Sequence, residues 1–69
     1  MKTKLQEMRV SKKLKQVELA QQSGVSVFKL SVFESGAARP GRENAKKIAD
    51  ALGVKIEEIF PHFATQVVP

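Results

Sequence analysis

Apolar residues recur along this chain at intervals of three and four positions, the spacing that gathers side chains on one face of an α-helix. The clearest example is Ala45, Ile48, Ala49 and Leu52, which follow the i, i+3, i+4, i+7 pattern of a buried helical face. Shorter versions of this pattern, separated by glycine, proline and serine, predict five helices at residues 3–13, 16–22, 27–34, 42–52 and 56–60. The expected fold class is therefore all-α.

The inward faces of these helices predict one hydrophobic core. Its expected members are Leu5, Met8, Leu14, Leu19, Ala20, Val25, Leu30, Phe33, Ala45, Ile48, Ala49, Leu52, Ile56, Ile59 and Phe60, with the stem of Lys12 beside them. A chain of 69 residues buries only about 60% of the surface that its unfolded form exposes. We therefore expect a single domain at residues 1–61 that depends on dense packing, dimerisation or both. The tail at residues 62–69 is expected to form a short strand or to be disordered.

Residues 16–35 have the spacing of a helix-turn-helix motif. Two helices that cross steeply need a small side chain at their closest approach, and Ala20 supplies it. The tight turn between them needs a residue that tolerates a left-handed backbone, and Gly24 follows four positions later. The apolar residues that would hold the second helix against the domain are Leu19, Val25, Leu30 and Phe33.

The chain carries a formal charge of +5, from 12 Lys and Arg residues against 7 Asp and Glu residues. Half of the basic residues lie in the first fifteen positions, namely Lys2, Lys4, Arg9, Lys12, Lys13 and Lys15. An excess of positive charge favours a polyanionic partner such as nucleic acid. It also suits a solvated surface that keeps a small protein in solution, so charge alone leaves both interpretations open.

Several kinds of chemistry lack their usual residues here. There is no cysteine, which excludes disulfide bonds and thiolate metal sites. The single histidine, His62, and the single aspartate, Asp50, have no sequence-near partners for a catalytic pair or a metal site. No apolar run approaches the roughly 20 residues that span a bilayer, and the N-terminus lacks the apolar segment of a signal peptide. We therefore expect no enzyme activity, metal, cofactor, small-molecule ligand or membrane association, and a cytoplasmic location.

The helix-turn-helix match extends into a series of short motifs. These are LKQVELA at residues 14–20, GVS at 24–26, FESG at 33–36, RP at 39–40, KIADALGV at 47–54 and EIF at 58–60. With them the chain resembles the Cro/CI lambda-repressor-like family of transcription regulators over about residues 5–60. The resemblance implies a compact five-helix domain whose third helix enters the major groove of double-stranded DNA. It also implies that Gln16, at the start of the second helix, bonds a DNA phosphate; the alternative is an exposed glutamine without a ligand.

Base recognition is expected from the outer face of the third helix, which carries Val27, Phe28, Ser31 and Val32. Many relatives of the family carry Gln, Arg, Asn or Thr there, whereas valine and phenylalanine form no hydrogen bond with a base edge. Apolar side chains can contact the C5-methyl group of thymine in the major groove, and we favour this role. The alternatives are an interface with another protein and packing without a binding function.

Further residues complete the set that the resemblance implies. Ser26 and Lys29 can reach phosphates, and Arg39 and Arg42 can contact the DNA backbone or the minor groove. The whole expected DNA-binding set is Gln16, Ser26, Val27, Phe28, Lys29, Ser31, Val32, Ser35, Arg39 and Arg42.

The resemblance to the family also implies two structural features. Arg9 and Glu34 match positions that pair in some of them, which predicts a partly buried ion pair between the first and third helices. Lys15 and Lys55 replace the usual Ser or Thr N-cap, and each loses a cap worth about 1 kcal/mol.

Two functions from different classes compete at this point. The first is a sequence-specific DNA-binding regulator, with repression expected, that binds a palindromic operator as a homodimer with recognition helices about 34 Å apart. The second is a protein-interaction module on the same fold, such as an antitoxin or antirepressor, which the apolar third helix favours. The expected dimer surface consists of apolar residues beyond what a small core can bury, namely Ile56, Phe60, Phe63, Val67 and Val68.

Overall fold

The computed structural model describes residues 3–63, and these residues contain helices and no β-strand. The α-helices are α1 (Lys4–Ser11), α2 (Gln16–Ser23), α3 (Val27–Ser35), α4 (Arg42–Leu52) and α5 (Ile56–Ile59), and a 3-10 turn follows at Pro61–Phe63. The predicted all-α class and the five predicted helices are confirmed in this part of the chain. The bounds of α4 are as predicted, and the other helices differ by one or two residues at their ends.

The end of α1 shows why its prediction was too long. Lys13 has a φ of +58°, which is the left-handed conformation that stops a helix. The backbone N–H of Leu14 donates to the Arg9 carbonyl at 3.2 Å, and that of Lys13 donates to the Val10 carbonyl at 2.9 Å. This is the Schellman pattern, in which glycine usually holds the left-handed position. Lysine gives no such signal in a sequence. Lys12 is an exposed residue, and the packing of its stem stays a prediction.

The N-termini of α2 and α5 are partly capped. Lys15 and Lys55 hold the N-cap positions, and a lysine side chain has no acceptor to offer the first turn. The glutamate three positions later supplies the other half of a capping box. Glu18 accepts from the backbone N–H of Lys15 at 2.8 Å, and Glu58 accepts from that of Lys55 at 2.7 Å. The expected loss of a cap is therefore partly offset.

The core lies where the five helices converge, with α2 against α3 and α4, α1 against α3 and α5, and α4 against α5. Its buried apolar members are Leu5, Leu19, Val25, Leu30, Ala45, Ile48, Ala49, Leu52, Ile59 and Phe60. Met8, Leu14, Ala20, Phe33 and Ile56 were also predicted in the core, and they pack against it while partly exposed. The core thus holds α2 and α3 from behind and leaves their other sides accessible.

Phe60 corrects one expectation about the dimer surface. The sequence predicted that it would be available to a second copy, but it is only 6% exposed in the core of the domain. The 3-10 turn after it brings the Phe63 ring to a centroid distance of 6.5 Å in an edge-to-face arrangement. Burial of this large side chain completes the core at the end of α5, so Phe60 cannot also serve as an exposed contact.

Candidate nucleic-acid interface

α2 and α3 form a helix-turn-helix whose inner side belongs to the core. Leu19 and Leu30 are fully buried, and Val25 in the turn is 3% exposed. Gly24 ends α2 with a φ of +78°, a conformation that a side chain would strain. Ser26 begins α3, where its hydroxyl accepts from the backbone N–H of Lys29 at 3.1 Å. These constraints fix the direction of α3 and turn one of its sides out of the domain.

The outer face of α3 carries the residues that were expected to contact bases. Phe28 is 77% exposed and Val27 is 39% exposed. Val32, one turn after Phe28, is half-buried, while Lys29 and Ser31 are exposed. The outer face of α3 therefore presents aromatic and aliphatic groups to solvent and is a candidate surface for a partner.

Ser35, at the end of α3, has a hydroxyl group that is engaged by its own backbone. Its Oγ donates to the Val32 carbonyl at 2.8 Å and accepts from the Ala37 N–H at 3.2 Å. The residue is nevertheless exposed. A DNA contact through Ser35 therefore stays a prediction, and it would need the remaining lone pair or a break in this turn.

A buried ionic network ties the inner side of α3 to α1. Glu34 is 3% exposed. Arg9 Nε donates to Glu34 Oε2 at 2.6 Å, and Arg9 Nη2 donates to Oε1 at 3.1 Å. Arg9 Nη1 also donates to the Leu14 carbonyl at 2.6 Å. The ion pair expected between the first and third helices is present, in a bidentate form that satisfies the buried carboxylate.

Gln16 is a further member of this network. Its Nε2 donates to Glu34 Oε1 at 3.1 Å, a contact that the sequence did not predict. The amide group has a second N–H and a carbonyl oxygen outside this bond, so its expected contact with a phosphate stays a prediction. Thr3, the N-cap residue before α1, joins the network through its hydroxyl group, which donates to the backbone carbonyl of Glu34 at 2.9 Å. The network thus holds the start of α2 against the end of α3.

Basic side chains surround the helix-turn-helix. Lys15, Lys29 and Arg39 are exposed, in the turn before α2, on α3 and in the loop after it. Arg42, at the start of α4, is exposed as well, and its guanidinium carbon lies 5.2 Å from the centroid of the Phe63 ring. With a formal charge of +5 over the whole chain, this arrangement favours a polyanionic surface as partner.

Val17 is a surface residue that sequence reasoning missed. It is 50% exposed on the first turn of α2, and together with Val27 it lines a shallow groove of about 330 Å³ between α2 and α3. The spacing in the sequence could have predicted this exposure. Val17 and Gln21 are four positions apart and share the side of α2 that faces away from the buried Leu19. The apolar surface therefore continues from α3 onto α2.

The expected dimer surface is only partly represented in the structure. Ile56 and Phe63 are half-buried beside the core, and Phe60 is buried. Val67 and Val68 lie outside the described residues. Ile56 and Phe63 are thus the described candidates for contact with a second copy.

Other kinds of site find no support in the described part of the chain. Within residues 3–63, no three His, Cys, Asp or Glu residues approach one another closely enough to hold a metal ion. In the same residues, no helix combines the length and the apolar character required to cross a membrane.

Comparisons with known proteins agree with this geometry. A helix-turn-helix family model matches residues 5–59. The transcriptional repressor RstR of the cryptic phage CTXphi in Vibrio cholerae is 40% identical over 50 residues. An uncharacterized HTH-type transcriptional regulator of Methanocaldococcus jannaschii is 43% identical over 60 residues, and the HTH-type transcriptional activator BcrR of Enterococcus faecalis is 41% identical over 57 residues. No solved structure matches the chain significantly.

The three relatives differ in how much of each protein is matched. The match covers 72% of this chain but 45% of RstR, and 83% of this chain but 28% of BcrR. It covers 87% of this chain and 91% of the archaeal regulator. What all three share with this chain is therefore the domain built around α2 and α3. The chain belongs to the helix-turn-helix family of the Cro/CI type.

Proposed function

We propose that this chain is a sequence-specific transcription regulator that binds double-stranded DNA with α3 in the major groove. The observation that carries the proposal is the outer face of α3, where Phe28 is 77% exposed while Leu30 on the other side is fully buried. The major groove admits a helix that protrudes in this way. The names of the three relatives, a repressor, a regulator and an activator of transcription, support the same role.

The residues divide into two groups by their chemistry. Val27, Phe28, Ser31 and Val32 contact base edges, the apolar ones through thymine methyl groups. Phosphates bind at the N-terminus of α2 and around α3, because helix N-termini and basic side chains attract anions. The residues proposed for phosphates or the adjacent minor groove are Gln16, Ser26, Lys29, Ser35, Arg39 and Arg42.

The regulator is proposed to bind a palindromic operator as a homodimer. Two-fold symmetry would present two copies of α3 to successive major grooves about 34 Å apart. Ile56 and Phe63 support this arrangement, because both leave apolar surface beside the core. Sedimentation at high micromolar concentration tests it with Ile56→Ser, which should weaken association. Val10→Ser is the control for the loss of an aliphatic side chain elsewhere on the surface, since Val10 is 48% exposed on α1. A wild-type chain that stays monomeric both in solution and on DNA would contradict the homodimer.

Selection of bound sequences from random duplex DNA tests the DNA proposal directly. We expect an enriched inverted repeat with half-sites about 10 base pairs apart. Affinity for that site should fall about a thousandfold between 50 and 200 mM salt, because phosphate contacts release counterions. The absence of any enriched sequence, together with affinity that ignores salt, would reject DNA binding.

Repression is the proposed direction of regulation, in line with the name of RstR. A promoter reporter carrying the selected operator measures it. Lower expression on addition of the protein supports repression. Higher expression would reject repression and would instead match BcrR, the activator among the relatives.

A protein-interaction module on the same fold is the second candidate. The exposure of Phe28 favours it, because an uncovered aromatic ring also suits a protein partner. Binding through an apolar face responds little to salt, whereas binding through several phosphates responds steeply. The salt series described above therefore separates the two candidates.

A further inference from the structure

We propose that the outer face of α3 recognises the C5-methyl group of a pyrimidine and accepts 5-methylcytosine in place of thymine. This inference rests on the proposed function, because it requires α3 in the major groove. The first step is the character of the face itself. Phe28 and Val27 are 77% and 39% exposed, and Val32 follows Phe28 by one helical turn. None of these side chains has a hydrogen-bond donor or acceptor.

The second step is the chemistry of the base edge. Thymine presents the O4 acceptor and a C5-methyl group in the major groove, whereas cytosine presents an N4 amino donor. 5-Methylcytosine combines that donor with the same methyl group. By direct contact, a protein separates a thymine·adenine pair from a 5-methylcytosine·guanine pair only if it forms a hydrogen bond at O4 or N4 of the pyrimidine, or at N6 or O6 of the paired purine. Phe28 and Val32 contact the methyl group and cannot make that test.

The hydroxyl groups of α3 do not supply the missing test. Ser31 is exposed, but a hydroxyl group acts as donor or acceptor and adapts to either base. The Ser35 hydroxyl donates its proton to the Val32 carbonyl. At the base pairs that face Phe28 and Val32, the methyl group is therefore the feature that remains to be recognised.

The third step is the extent of the apolar surface. Val17 on α2 is 50% exposed, and it lines the same groove as Val27. A continuous apolar strip from α2 to α3 can contact methyl groups of adjacent pyrimidines. Contact with several methyl groups at once would give a measurable preference even though each contact is weak.

Charge decides for DNA over a protein as the occupant of this face. Lys29 is exposed on α3. The acidic residue of α3, Glu34, is buried and paired with Arg9. Arg39 adds an exposed positive charge in the loop that follows. On α3 the exposed apolar side chains are thus accompanied by exposed positive charge and by no exposed carboxylate, which fits methyl groups that line a groove between phosphates.

Matched duplexes test the proposal with the full 69-residue chain. The starting duplex is the operator obtained by selection, and one thymine at a time is replaced by uracil, 5-methylcytosine or cytosine, with the correct partner base opposite. Uracil keeps the pairing and the O4 acceptor and removes only the methyl group. Fluorescence anisotropy at fixed salt should show about a fourfold loss per contacted methyl group, which corresponds to about 0.8 kcal/mol. Cytosine should lose as much, and 5-methylcytosine should restore affinity to within about twofold of thymine.

Protein variants assign the effect to α3. Phe28→Ala should abolish the difference in affinity between the thymine and uracil duplexes at one base pair in each half-site. At the other base pairs that difference should remain. Lys46→Ala is the control, because Lys46 lies on α4 in an exposed pair with Asp50 at 3.3 Å. It should change neither affinity nor the response to methyl groups.

The possible outcomes separate this inference from the proposed function. A selected operator that binds equally well with thymine and uracil throughout would overturn methyl recognition and leave DNA binding intact. Loss with uracil but no recovery with 5-methylcytosine would show that the protein tests the hydrogen-bonding groups of the base pair as well as the methyl group, which also overturns the inference. Failure to select any operator would reject the proposed function itself.

Discussion

Lys13 holds a left-handed backbone conformation, with a φ of +58°, in the turn that ends α1. This conformation costs a residue with a side chain about 1–2 kcal/mol, a cost that glycine avoids. Glycine also makes the unfolded chain more flexible, and this offsets part of the gain in stability. We predict that Lys13→Gly raises the free energy of unfolding by about 0.5–1 kcal/mol, and the melting temperature by roughly 2–8 °C. Urea titration with a linear extrapolation measures the free energy.

Lys12→Gly is the control for that prediction. Lys12 has a φ of −93°, which any residue adopts, so glycine there should give no gain and a loss of a few tenths to about 1 kcal/mol. Equal effects at the two positions would show that the backbone of Lys13 is not strained.

Arg9 and Glu34 form a buried ion pair that joins α1 to α3. A chain of 69 residues has a total stability of roughly 3–10 kcal/mol at typical values per residue. Removal of one member of a buried pair leaves an uncompensated charge and costs about 3–5 kcal/mol. We predict that Arg9→Met lowers the free energy of unfolding by about 3–5 kcal/mol. The double variant Arg9→Met, Glu34→Leu should recover at least about 2 kcal/mol of that loss.

A double-mutant cycle in urea measures this coupling. If the Arg9→Met variant does not fold, Arg9→Lys replaces it in the cycle, because lysine keeps the positive charge but cannot form the bidentate contact with Glu34. If the two single losses add within about 0.5 kcal/mol in the double variant, the pair is not coupled.

Among single residues, local spacing predicted the core, whereas contacts between residues far apart in the sequence had no local signal. Leu19, Leu30 and Ile48 were predictable as core because periodic apolar positions face inward on a helix. The bond from Gln16 to Glu34 was not, since its two partners are 18 positions apart and no local pattern links them. Phe60 was predicted both in the core and on the dimer surface, because an apolar residue near a helix end is consistent with either; its 6% exposure confirms the core assignment.

The helical elements are defined mainly at their ends. α2 and α5 begin with the same arrangement, a lysine at the N-cap and a glutamate that bonds back to it. A lysine there also places positive charge at the positive end of the helix dipole. A serine would add the missing acceptor and complete the capping box. The two helices therefore offer one substitution in two settings, only one of which faces the proposed DNA.

We predict that Lys15→Ser and Lys55→Ser each stabilise the fold by about 0.5–1 kcal/mol in urea unfolding. Their effects on DNA should differ, because Lys15 lies beside the phosphate-binding end proposed for α2. Lys15→Ser should weaken operator binding roughly fivefold at 0.1 M salt. Lys55→Ser should leave it unchanged. If both variants bind as wild type, α2 does not present its N-terminus to a phosphate.

α3 differs from the other elements because its two sides are both largely apolar. The sequence predicted its orientation through Gly24 and the spacing of Leu30 and Phe33, and the burial of Leu30 bears this out. The sequence also placed Phe28 on the outer face of α3, but the exposed fraction of 77% depends on how the whole domain packs and has no local signal. The chemistry of the site could thus be predicted from its residue types, whereas the exposed fraction of each side chain could be known only from the packed domain.

At the scale of the whole molecule, one small core supports a surface with a net charge of +5. A charge of this size steers a polyanion and makes association depend on salt. The number of contacts per complex then depends on how many copies bind, because each copy contributes the same side chains. Salt dependence therefore measures both the contact residues and the stoichiometry of the complex on DNA.

Arg39 allows that measurement with one substitution. Each phosphate contact contributes about 0.9 to the slope of log affinity against log salt concentration. If Arg39 binds one phosphate in each copy, Arg39→Gln should lower the magnitude of the slope by about 1.8 for a dimer and about 0.9 for a monomer. Lys46→Gln is matched in charge on the exposed side of α4 and should leave the slope as it is. A slope unchanged by Arg39→Gln would show that the loop after α3 stays clear of the DNA backbone. A change near 0.9 would count against the homodimer while retaining the contact.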